Sequence, residues 1–187
     1  AFDGKSKFDI ILPGDLLHCD FGITYLSLNT DCQELAYVLK PNELMAPNYL
    51  QNALNEGNSV QDIFTNLFAY GKTGNEILKE SLKIGREEGF KPQIYTHPLG
   101  TFGHSAGTTL GMWDSQEGVP FNGDFPMNYN TVYAIELNTK VFLKEWNKEI
   151  RIMLEEAGAF EKNGFRYVNG RQTKLILIGK QDNHLAN

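Results

Sequence analysis

Asp20 and Asp31 stand eleven residues apart, each in a stretch that reads as one arm of a β-hairpin. In Leu16-Leu17-His18-Cys19-Asp20-Phe21-Gly22 and Ser27-Leu28-Asn29-Thr30-Asp31-Cys32, a reversal midway between the acids sets Asp20 opposite Asp31. Directly opposed side chains on one face have Cβ atoms roughly 4.5–5.5 Å apart, so two ionised carboxylates there repel unless a cation lies between them. The pair therefore points to metal as well as to a hairpin. The same register opposes Cys19 to Cys32 on the other face. That leaves two readings, a cross-strand disulfide, which demands strict geometry, or two buried free thiols acting as small hydrophobes.

With 187 residues, 41% of them hydrophobic, the chain can bury one real core and is too short for two domains of ordinary size. Its net charge of −6, without any run of Lys or Arg, argues against a nucleic-acid partner. No apolar stretch approaches the roughly 18 residues a membrane helix needs, and Ala1-Phe2-Asp3-Gly4-Lys5-Ser6-Lys7 lacks the apolar core of a signal peptide. No membrane association is expected, and the cytoplasm is the favoured compartment. The chain begins with Ala rather than Met and opens close to a strand, so residues upstream are expected to have been removed.

A turn at Leu12-Pro13-Gly14-Asp15 precedes the hairpin, which runs to Tyr37-Val38-Leu39 and closes at Pro41-Asn42. From Asn48 to Phe68, apolar residues recur at helical spacing, with a weak point at Gly57. Thr73-Gly74-Asn75-Glu76 reads as a capping box opening a second helix to about Glu88. Strands are predicted at Ile94-Tyr95-Thr96, Thr131–Phe142, Glu149–Phe160 and Thr173–Ile178. Two helices on a sheet make this an α+β domain. The loop from Gly100 to Asn130 is too long to be a mere connection, and loops of that length often shape a site.

Two further acids interrupt apolar strands. Glu136 shares a strand face with Val132 and Ala134, where a carboxylate is costly to bury without a cation or an Arg. In Ile152-Met153-Leu154-Glu155-Glu156, alternation gives the two glutamates opposite faces, so one of them should point inward. His97, at a strand end before the long loop, suits a metal ligand, and His104, seven residues on, could face a substrate. His18 alternates onto the Asp20 face as a weaker, outer-shell candidate, and His184 sits in a polar tail. Neither is given a role.

Asp20, Asp31, His97, Glu136 and Glu155, in that order, resemble the five-ligand dinuclear site of the pita-bread metallopeptidases, the family of methionine aminopeptidases, Xaa-Pro aminopeptidases, prolidases and creatinase. The likeness extends over nearly the whole chain. Pro13-Gly14-Asp15-Leu16-Leu17-His18-Cys19-Asp20-Phe21-Gly22 is similar to the strand leading into the family's first aspartate, and His97 and His104 keep the interval between its ligand and substrate-facing histidines. The apolar residue before the family's last glutamate is matched by Leu154, which selects Glu155 over Glu156.

The resemblance implies a curved antiparallel sheet covered by helices, a single catalytic domain over residues 1–187, and a missing N-terminal part of the fold. It implies two divalent ions, Mn first, with Co, Fe or Zn as substitutes. Asp31 and Glu155 would bridge them, Asp20 would complete one shell, and His97 with Glu136 the other. Glu136 would shuttle a proton and His104 would hold the carbonyl or its oxyanion. The implied partner is a peptide substrate, cut near its N-terminus with an Xaa-Pro preference, and a homodimer is compatible with the family.

Gln93 and Met153 stand where proline-specific members often have His and Arg, and Cys32-Gln33-Glu34-Leu35 lacks the Arg that often follows the second aspartate. Two other readings are a catalytically inactive pita-bread module that binds proteins, and a creatinase-like hydrolase that works without metal. The complete ligand set weighs against both.

Overall fold

A computed structural model describes residues 10–179. In chain order the elements are β1 (Leu16–Phe21), β2 (Thr24–Tyr25), β3 (Leu28–Asn29), β4 (Cys32–Val38), α1 (Asn48–Thr65), α2 (Gly74–Glu87), β5 (Pro92–Ile94), β6 (His97–Pro98), β7 (Thr131–Leu143), β8 (Lys148–Glu161), β9 (Gly164–Tyr167) and β10 (Ile176–Ile178). One sheet runs β1-β4-β8-β7-β5, antiparallel throughout. β6 pairs with β7 and β9 with β8, while β10 adds to β4 in parallel.

The long hairpin β7–β8 dominates the sheet. Its strands are buried in runs along much of their length rather than in strict alternation, and its four-residue loop turns on Asn147, which tolerates a φ of 46°. Pairing then runs unbroken from Leu143↔Lys148 to Thr131↔Phe160. On one face, Tyr133, Ile135 and Leu137 pack against Val60 and Phe64 of α1 and Ile77, Leu78 and Leu82 of α2. Ile152 and Leu154 of β8 join Leu50, Ala53 and Leu54 of α1 in a second cluster. Both helices thus cover the same face, and Glu136 and Glu155, of opposite parity to those residues, are left on the other.

The capping box forms: Thr73 Oγ1 accepts from the Glu76 amide at 3.2 Å, and Glu76 Oε2 accepts from the Thr73 amide at 2.8 Å. α1 stops at Thr65, three residues before the expected end, although Phe68 still packs edge-on against Phe64. The predicted strand at Ile94-Tyr95-Thr96 splits into β5 and β6, and the last strand covers only Ile176–Ile178 of the predicted Thr173–Ile178. β9, which the sequence reading missed, is a short return strand after the Lys162-Asn163 turn. His184 lies outside the described residues.

The first hairpin is displaced from its expected register. Leu26 and Ser27, with φ of 48° and 64°, form a two-residue turn one position later than the midpoint between the acids. The turn is locked by Thr24 Oγ1 donating to Asn29 Oδ1 at 2.6 Å and by the Ile23 amide donating to Thr30 Oγ1 at 3.0 Å. A one-residue move of the turn shifts the pairing by two, so Asp20 faces Gln33, not Asp31, and Cys19 faces Glu34, not Cys32. Because the shift is even, every side chain keeps its face. Both thiols are free, and Cys19 is exposed rather than buried.

Gly57 is a point of close approach rather than a weak point. A Cβ added there would lie 2.8 Å from Ile152 Cγ2 and 2.8 Å from Leu154 Cδ1, both fully buried. Glycine normally weakens a helix interior, but here it lets α1 press onto β8. Gly57→Val is expected to lower stability by about 1–3 kcal/mol despite valine's better helix propensity. Urea unfolding measures this, and an unchanged or raised midpoint would contradict the packing.

Candidate metal centre

Sheet register lines up four polar side chains across four strands. Asp20 on β1 faces Gln33 on β4, Gln33 faces Glu155 on β8, and Glu155 faces Glu136 on β7. Like charges directly opposite on a sheet are destabilising, so a row with three acids needs compensation. His97, on β6 and paired with Ala134, approaches from beyond Glu136. Asp31 is drawn in by the hairpin tip, since both the amide and the Nδ2 of Asn29 donate to the Gly100 carbonyl, at 2.8 and 3.1 Å, just past β6.

The result is a convergence on His97 Nε2, which lies 3.8 Å from Asp31 Oδ2, 3.9 Å from Glu155 Oε1 and 4.0 Å from Glu136 Oε2. His97 is buried, and its Nδ1–H donates to the Pro98 carbonyl at 3.1 Å, which leaves the Nε2 lone pair aimed at the acids. Burial holds its pKa below the usual imidazole value, favouring the neutral form that a metal requires. Asp20 joins Glu136 and Glu155 in a second group whose oxygens lie within 4.8 Å of one another. The five residues proposed from the sequence as ligands therefore come together, in two overlapping groups that share Glu155.

Burial and mutual repulsion push up the carboxyl groups of Asp31, Glu136 and Glu155. Burial first, then Glu136 and Asp31, pushes Glu155 up to about 9. Burial, opposed by a hydrogen bond from Gln33, brings Glu136 to about 7. Asp31 is raised by burial and by nearby Asp20, so the two aspartates still feel each other despite the altered register. Glu155 Oε1 is buried with no hydrogen-bond partner, although a carboxylate oxygen in such a place normally has one. A divalent cation among one imidazole and several carboxylates would satisfy that oxygen, and this donor set suits Mn, Fe, Co or Zn.

His104 is exposed and stacks on His97, with ring centroids 3.8 Å apart and planes 10° from parallel. Both rings border a cleft of about 710 Å³. Except for Tyr95, His97 and Pro98, every residue lining it belongs to the long loop that the sequence reading singled out, Met112 and Phe125 among them.

Glu156 is buried as well, contrary to the expectation that only one glutamate of the pair points inward. It faces the helix side opposite Ile135, where its Oε1 accepts from the Gln172 amide at 2.6 Å, and burial brings it to about 7. Gln33 is the residue that the sequence reading missed. Its Nε2 donates to Glu136 Oε1 at 2.7 Å and Glu155 Oε2 at 3.0 Å, and His18 Nε2 bonds its Oε1 at 2.8 Å. Alternation from Asp31 already put Gln33 on the acid face, and that was the available signal.

No model of a protein family matches the chain, and no curated protein sequence does. Solved structures do. An X-Pro aminopeptidase from Thermotoga maritima superposes with a TM-score of 0.68 at 18% identity, covering 94% of this chain and 45% of that one. The chain has the pita-bread fold. A prolidase from Thermococcus sibiricus (TM-score 0.66, 16% identity, 94% of this chain and 43% of that one) and a methionine aminopeptidase from Rickettsia prowazekii (0.59, 12%, 83% and 64%) share it. The chain spans less than half the length of the first two. Among the described residues, no helix is long and apolar enough to cross a membrane.

The buried carboxyl groups give the ion-free protein a characteristic pH dependence. Glu155 keeps its proton up to about pH 9 when folded, against 4.5 as a free side chain, so the folded state binds more protons between those values. Stability should then fall as pH rises from about 5 to 9, and Glu136 and Glu156, at about 7, add in the same direction. Glu155→Gln should flatten the slope. Urea unfolding in chelator at pH 5, 7 and 9 tests this, and stability that rises with pH would refute it.

Proposed function

We propose that the chain forms a single catalytic domain that hydrolyses peptide bonds near the N-terminus of its substrates, with two divalent cations, Mn²⁺ foremost, and with Xaa-Pro peptides preferred. The observation that carries this reading is the unpartnered Glu155 Oε1, buried beside His97 and Asp31 within a pita-bread fold. The named activities of the X-Pro aminopeptidase and prolidase that share the fold support the choice of substrate class.

Asp20, Asp31, His97, Glu136 and Glu155 would hold the ions. When bound, such ions neutralise the carboxylates and supply the Lewis acidity that makes water a nucleophile near neutral pH. Glu136 is the carboxylate positioned to take a proton from the attacking water and pass it to the departing amine. His104, stacked on His97 at the edge of the cleft, is in position to donate to the substrate carbonyl as negative charge develops on its oxygen. The apolar Met112 and Phe125 in that cleft offer a surface for a side chain such as proline's. With water as the nucleophile, no serine or cysteine nucleophile is needed.

Hydrolysis of Xaa-Pro and Met-Xaa peptides by the Mn-loaded protein, with and without chelator, tests the proposal. Chelator-sensitive cleavage is expected. Peptide binding without cleavage, or cleavage that persists in chelator, would overturn it. Asp31→Asn and Glu155→Gln should each lower kcat/KM by at least about 100-fold, since both remove a charge from the ion cluster. Glu156→Gln should change it by less than about threefold, because an amide oxygen can still accept from Gln172. The reverse ranking would mean that the wrong glutamate has been assigned. Mn²⁺ affinity should rise between pH 6 and 9 as Glu136 and Glu155 lose their protons, which calorimetric titration across that range checks.

A further inference from the structure

Gln33 is the one member of the cross-sheet row that is not an acid, and it stands between Asp20 and Glu155. It is 2% exposed, and its carboxamide is fully used. One N–H goes to Glu136 Oε1 and the other to Glu155 Oε2, while its oxygen accepts from His18 Nε2. The orientation is fixed by chemistry, since a flipped amide would turn its oxygen onto two carboxylates and its nitrogen onto the imidazole. The opposite oxygens of the same glutamates, Glu136 Oε2 and Glu155 Oε1, are the ones that face His97 with Asp31. Glu155 is thus split: Oε2 is satisfied by Gln33 and Oε1 by nothing.

On the His97 side, one atom each of Asp31, His97 and Glu155 lie within 4.8 Å of one another, with Glu136 Oε2 4.0 Å from the imidazole. Bonds of 2.0–2.2 Å put neighbouring donors about 3.0–3.5 Å apart, and those from His97 Nε2 are already at 3.8–4.0 Å. On the Asp20 side an incoming cation would meet two N–H groups pointing at the oxygens it needs. We propose that Gln33 divides the cluster into unequal halves. The half formed by Asp31, His97, Glu136 and Glu155 takes a divalent ion readily, and the half beside Asp20 fills only when the Gln33 amide is displaced. His18 is the anchor that resists the displacement. The inference rests on the metal reading above and concerns how the two ions load.

Titration of the metal-depleted protein with Mn²⁺, followed by calorimetry and by electron paramagnetic resonance, reads the loading directly. One tight ion giving an isolated Mn²⁺ signal is expected, with a second binding at least about 100-fold more weakly because the two hydrogen bonds from Gln33 must break. Gln33→Ser should tighten the second ion at least about tenfold, and a spin-coupled pair should then appear at two equivalents. His18→Phe should move the second ion the same way by a smaller factor, and it keeps the test open should Gln33→Ser fold poorly. A gain in metal binding is not what a merely structural lesion produces. Two ions of equal affinity in the unaltered protein, or both variants leaving the ratio unchanged, would overturn the role of Gln33 and leave the hydrolase reading standing. A protein that takes up no Mn²⁺ at all would overturn both.

Discussion

The antiparallel pairing of β7 with β8 is the constraint on which the site depends. It places Glu136 directly opposite Glu155 on the face that the helices leave uncovered. A slip of one residue would turn Glu155 into the helix-packed core and bring Glu156 out in its place, because the side-chain period of a strand is two. The slip is opposed by the other face, where Tyr133, Ile135, Leu137, Ile152 and Leu154 meet α1 and α2 in a close-packed layer. Burial of apolar side chains on one side of the sheet thus fixes the positions of carboxylates on the other.

Those carboxylates are unfavourable for the fold by themselves. Glu155 is almost completely buried, has a second glutamate as a neighbour, and is pushed up to about 9. A sheet selected only for stability would carry an apolar residue there. The compensation present in the chain is partial. Gln33 serves one oxygen each of Glu155 and Glu136, and the neutral His97 adds no charge. What remains, an unpartnered oxygen among three acids and one imidazole, is what a cation would relieve. Local violations of the rules for a stable core mark a functional site more often than a fault in the fold.

Much of this was legible in the residues. The capping box at Thr73, the two helices and the long strands follow from periodicity and local turn chemistry, which act over a few residues. Glu136 and the Glu155-Glu156 pair were legible as polar interruptions of apolar strands, Asp20 and Asp31 as a hairpin pair and His97 as a strand-end histidine, and the order of these residues gave the resemblance. The register of the first hairpin was not. It depended on which two residues adopt positive φ, and Leu26-Ser27 carries neither Gly nor Asn to announce the turn. The burial of Glu156 was also hidden, because its partner is the amide of Gln172, sixteen residues on.

By itself the sequence determined which residues could be ligands and which strand faces they occupy, because alternation is a property of each strand alone. Tertiary structure decided which oxygens meet. Asp31 reaches His97 only because the hairpin tip is tied to Gly100, and Gln33 comes between Asp20 and Glu155 only because three separate strands pair in this register. Contacts between residues as far apart as Gln33 and Glu155 depend on the global packing of the sheet. No local pattern in the chain encodes them.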